Sequence, residues 1–86
     1  MHQTLSEKVS VVSTYNHRTQ EVKPMSITWA GRLYPVLRVG LRHTYKTGNT
    51  RYHVFSVTSD HLFFRLILDT ETLHWSLSEV SDGLPD

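Results

Sequence analysis

The sequence predicts an all-β fold, a six-stranded antiparallel meander curled into a small, half-open barrel. Three observations carry that expectation. Apolar and polar residues alternate with a period of two over most of the chain, and β-branched and aromatic residues are dense in those runs. Turn-forming pairs recur at short intervals, among them Ala30-Gly31, Gly48-Asn49 and Ser59-Asp60. No long stretch keeps apolar residues at helical spacing without an interrupting Gly or Pro.

Each strand has its own signature. Residues 7–15 alternate through Val9, Val11 and Ser13, with a weaker extended piece over 19–23. Residues 25–29 set Met25, Ile27 and Trp29 on one side, and Ala30-Gly31 turns the chain into a long third strand, 32–45. Strands over 51–58, 61–68 and 73–80 follow, and the short connections pair each with its neighbour. With Ser59-Asp60 as a two-residue turn, Phe55 pairs with Phe64 and Val57 with Leu62. The last hairpin then sets Leu66 against Trp75 and Phe64 against Leu77. These pairings send the large apolar side chains to one face, and a slip of one residue would exchange the faces.

The third strand needs a correction to its own register. Pairing Ile27 with Tyr34 sends even positions inward, whereas Leu37, Val39 and Leu41 are the apolar positions further on. One extra residue near Pro35–Leu37 reconciles the two halves, and a bulge there bends the strand as barrel closure requires. Matching Val39 to Val57 and Leu41 to Phe55 calls for an odd loop, Thr47-Gly48-Asn49, and puts His43 opposite His53.

At 86 residues the chain makes one domain, expected over 7–80, with a loose leader over 1–6 and a flexible end over 81–86. It has no Cys, so thiolate chemistry and disulfides are excluded. No apolar run is long enough for a membrane-spanning helix, and the first residues lack the apolar core of a secretory signal; a cytoplasmic protein is expected. Catalytic signatures such as G-x-S-x-G, H-E-x-x-H and the P-loop are missing, so no enzyme and no cofactor are expected. His43 and His53 are weak metal candidates, because zinc normally takes three or four protein ligands.

Charge is more informative than any motif. Residues 18–65 carry eight basic groups against Glu21 and Asp60, whereas residues 66–86 carry five acids and no base. That asymmetry within a net charge of +1 suggests an oriented field and a directed partner. The expected register gathers Arg42, Arg65, Phe63, Tyr52 and His74 on the outer face, with Arg38 and Lys46 extending it along the third strand. Arginine and aromatic rings together suit a protein interface, with a partner protein or a second copy of the chain as occupant. They also suit single-stranded nucleic acid, where guanidinium groups hold phosphates and rings stack on bases. The expectation is therefore a non-enzymatic binding or adaptor module. Weak binding of single-stranded nucleic acid is the second reading, and a hydrolase using His43 and His53 a remote third.

The run Lys23-Pro24-Met25-Ser26-Ile27-Thr28-Trp29-Ala30-Gly31-Arg32-Leu33-Tyr34-Pro35-Val36 resembles a family of small uncharacterised bacterial domains with the pattern P-x-x-I-x-W-x-G-R-x-Y-x-V. Some members are encoded beside Y-family translesion polymerases, and Trp75-Ser76-Leu77 matches the family's W-x-L ending. The resemblance implies a short first strand, a W-x-G-R hairpin and an aromatic strand pair. It transfers no catalytic residue. In physical terms Gly31 permits the turn, Trp29 and Tyr34 anchor the core, and Arg32 lies over an aromatic ring.

Overall fold

The computed structural model describes residues 2–83. Seven antiparallel strands form an open half-barrel, and no described residue is helical. They are β1 (His2–Asn16), β2 (Glu21–Trp29), β3 (Arg32–Pro35), β4 (Arg38–Thr47), β5 (Thr50–Ser59), β6 (Leu62–Asp69) and β7 (Trp75–Ser81). Their order across the sheet is β3-β2-β1-β7-β6-β5-β4.

The two edge strands, β3 and β4, are consecutive in the chain and separated only by Val36 and Leu37. They are the two halves of the long third strand expected from the sequence, so six strands become seven by one interruption. At that break the Val36 N–H donates to the Met25 carbonyl of β2 (2.9 Å). The Leu37 N–H donates to the Thr58 carbonyl of β5 (2.8 Å). One dipeptide thus ties the sheet's opposite edges together, at the position where the sequence demanded a bend.

The core is built from one face of every strand. Ile27, Phe55, Val57, Phe64, Leu66, Leu68, Trp75, Leu77 and Val80 are buried together, with Val9, Val11, Trp29, Tyr34 and Val39 packed against them. Phe64 takes the hairpin of β2 and β3 on its edges: the Trp29 ring lies 6.0 Å away at 79° and the Tyr34 ring 5.1 Å away at 61°. Arg32 lies over Tyr34, its guanidinium carbon 5.3 Å from the ring centre. The turn between them has Ala30 and Gly31 both at positive φ (52° and 75°), the geometry that twists a two-residue hairpin correctly. The Trp29 indole N–H reaches across to Glu7 Oε2 at 3.0 Å.

Several registers differ from expectation. The turn between β5 and β6 is Asp60-His61, so Phe55 pairs with Leu66, Val57 with Phe64 and Ser59 with Leu62. This moves every partner by two residues, which leaves each side chain on its expected face. The last hairpin shifts the same way, pairing Leu68 with Trp75 and Leu66 with Leu77. Leu73 falls in the turn at φ 63° and is exposed, so β7 starts at Trp75.

A second bulge, between Val39 and Arg42, has larger consequences. It takes up the extra residue that was expected in the following loop, and Gly48-Asn49 becomes a plain two-residue turn between Thr47 and Thr50. Leu41 is consequently exposed rather than facing Phe55, and Leu37 is exposed at the break. A third irregularity lies where β1 meets β2, leaving Met25 exposed and Pro24 buried. Residue 1 of the expected leader lies outside the described residues, and 2–6 belong instead to β1, with His2, Gln3 and Thr4 opposite Ser81, Val80 and Glu79. Ser81 is likewise the last residue of β7, and residues 84–86 lie outside the described residues.

Candidate functional site

The bulge in β4 decides which expected site residues share a face. Before it, Val39 lies opposite the buried Val57, so Arg38 opposite Thr58 points outward. After it, Arg42 stands opposite Phe55 and belongs to the inner face. Its guanidinium carbon lies 5.8 Å from the Phe55 ring centre, and Nη1 is 2.5 Å from Glu21 Oε2. Lys46 follows Arg42 at the same parity, opposite Arg51. Arg65 lies opposite Ser56, on the outer face. The row expected to hold Arg42 and Arg65 side by side is therefore split between the two surfaces of the sheet.

The outer face is nonetheless built. One row runs Arg38, Thr58, Phe63 and Ser81; the next runs Ser56, Arg65 and Glu79. Between them lies a groove of about 350 Å³ lined by Arg38, Gly40, Ser56, Phe63, Arg65 and Glu79. Gly40 leaves the floor low, because a Cβ there would stand 3.3 Å from the Ser56 carbonyl oxygen. Arg65 reaches Glu79 only loosely, Nη1 to Oε1 at 3.8 Å, and Glu79 also faces His2 Nε2 at 3.6 Å. Phe63 is about half exposed, and a Cβ at Gly83 would stand only 2.9 Å from its ring edge.

Two further rows complete the surface. His43, Val54, Ile67 and Ser76 form one, in which Val54 is itself buried, and Tyr45, Tyr52 and Asp69 the other. The rings of Tyr45 and Tyr52 stack, their centres 5.0 Å apart and their planes 17° apart. His74 borders this row, its carbonyl accepting from the Asp69 N–H at 3.0 Å. Tyr45 was absent from the expected site because the unbulged register sent it inward. The signal that finds it is Gly40, since a glycine inside a strand marks a bulge.

The same shift separates the candidate metal ligands. His43 pairs with Val54 on the outer face, whereas His53 pairs with Thr44 and tilts against Phe55 on the inner one. They are not cross-strand partners, and no cluster of three or more His, Asp or Glu suited to a metal ion occurs among the described residues. No described helix is long and apolar enough to cross a membrane.

Compared with protein-family models, curated proteins and solved structures, the chain matches none.

Proposed function

We propose that the protein is a non-enzymatic binding module that docks on a partner protein through the outer face of β4 to β7. Arg38, Arg65, Phe63 and Tyr52 form the contact, bordered by Tyr45, His43 and His74. The observation that carries this reading is the groove of about 350 Å³ with a guanidinium group on each side and Phe63 at its edge. Among the described residues Arg38 makes no ion pair, and the Arg65 pair is long, so both cations are available to carboxylates of a partner. Arg42 and Lys46 do not contribute, because the bulge turns them inward.

A photo-crosslinking residue at position 63 tests the reading in cells, with the same residue at Val12, in the β1–β2 part of the sheet, as reference. A discrete adduct from position 63, absent from position 12 and lost in Arg38→Glu/Arg65→Glu, supports docking on this face. Equal adducts from both positions, or adducts that survive the double substitution, overturn it.

The stacked pair Tyr45 and Tyr52 beside Phe63 and two arginines favours a second reading, single-stranded nucleic acid. The resemblance of residues 23–36 to domains encoded near translesion polymerases points the same way. Few phosphates fit against two arginines, so the affinity for an oligothymidylate should fall with a log–log salt slope of only about −2. Absence of binding at low salt removes this reading.

A further inference from the structure

We propose a second site, a slot between β2 and β4 that accepts an extended acidic peptide as an added strand on the free edge of β4. β4 pairs with β5 alone. β2 pairs with β3 only over Ser26–Trp29, so its first half, from Glu21, also has a free edge. A cleft of about 390 Å³ opens between them, lined by Glu21 and Val22 of β2, Arg42 and Thr44 of β4, and Tyr15 and Phe55 behind. The ion pair Arg42–Glu21 joins its two walls. Both partners are substantially solvated, so that link is weak and exchangeable.

Alternate residues of an edge strand direct N–H and C=O groups away from the sheet, a ready template for another strand. The β2 wall is the poorer template, because Pro24 has no N–H to offer. The β4 wall is the better one, with all of residues 40–47 exposed.

Charge selects the occupant. β4 carries Arg38, Arg42 and Lys46 and no acid, and Arg51 lies opposite Lys46. Antiparallel pairing of two copies centred on Arg42 would set Arg42 against itself, and centred on Thr44 would set Arg42 against Lys46. Like charges directly opposed disfavour both arrangements. An incoming strand with carboxylates at alternate positions meets Arg42 and Lys46 instead and displaces Glu21, while its backbone completes the ladder of β4. His43 borders both sites, but this one does not need Arg38, Phe63 or Arg65, so it stands or falls separately.

The probe is a decapeptide alternating valine and glutamate, with three relatives: lysine in place of glutamate, N-methylation of every valine, and N-methylation of every glutamate. Titration followed by amide NMR should shift the signals of residues 41–47 and slow the exchange of alternate amides among them with the glutamate peptide. Each N-methylated peptide keeps every side chain and loses its donors along one edge, so the one methylated on the edge away from β4 still pairs while the other should bind about tenfold more weakly. The lysine peptide should bind more weakly than the glutamate peptide, and Arg42→Glu should reverse that preference. Equal binding of both N-methylated peptides, shifts confined to Arg38, Phe63 and Arg65, absence of binding, or a dimer protecting residues 41–47 would each overturn the proposal.

Discussion

Ser59 is wholly buried in the wall of the half-barrel, and its hydroxyl has no hydrogen-bond partner among the described residues. It shares the inward parity of Phe55 and Val57, which places an alcohol where the neighbouring strands supply apolar side chains. A buried hydroxyl without a partner loses its hydration and gains nothing in return. Ser59→Ala removes that cost while leaving the backbone pair with Leu62 intact. The variant should be more stable than the parent by about 1 kcal/mol in urea denaturation. A loss of similar size would show that the hydroxyl is hydrogen-bonded in solution.

At the scale of the element, the turn from β6 to β7 is organised by one carboxylate. Asp69 Oδ1 accepts the N–H of Glu71 at 2.9 Å and that of Thr72 at 3.2 Å. The Glu71 N–H chiefly, with Thr72 and the nearby His74 adding to it, holds the Asp69 carboxyl below the usual carboxylate range, overcoming a desolvation effect second only to that of Glu71. Because the folded pKa is depressed, the stabilisation is complete above the unfolded value of about 3.9 and is lost as pH falls through the folded value. Asp69→Ala should therefore be less stable than the parent at neutral pH, and the gap should close as the pH drops below about 4. Denaturation midpoints across that range measure it, and a gap independent of pH would refute the assignment. The same hairpin shows what the sequence made legible. The faces of Leu66, Leu68, Trp75 and Leu77 follow from period two alone, and a two-residue error in the turn leaves them unchanged. Arg42 and Lys46 lie beyond a bulge, where a single uncounted residue inverts the face. Alternation reports parity and says little about where an extra residue is stored: loop Thr47-Gly48-Asn49 and strand position Gly40-Leu41 satisfy the same count. Gly40 breaks the tie only because its missing side chain lets β4 pass close to the Ser56 carbonyl.

For the molecule as a whole, a backbone crossing between the sheet's edges adds to what the side chains packed on Phe64 hold together. The long third strand leaves the edge of β2 and joins the edge of β5 within Val36 and Leu37, and the Leu37 N–H is the first donor on the far side. The Leu37 side chain is 68% exposed, so it contributes little packing, and the two functions of the residue separate cleanly. Leu37→Ala keeps the N–H and should stay within about 0.5 kcal/mol of the parent. Leu37→Pro removes the donor to the Thr58 carbonyl and should cost about 1–3 kcal/mol. If that bond fastens one edge of the sheet to the other, the loss reaches beyond β4. Hydrogen exchange should quicken in β3 and at the Ser59 end of β5, which the crossing dipeptide holds together, while the β6–β7 ladder on the opposite side keeps its protection. Equal stabilities for the two variants would mean that the barrel's curvature is held by the core around Phe64 and does not need the crossing bond.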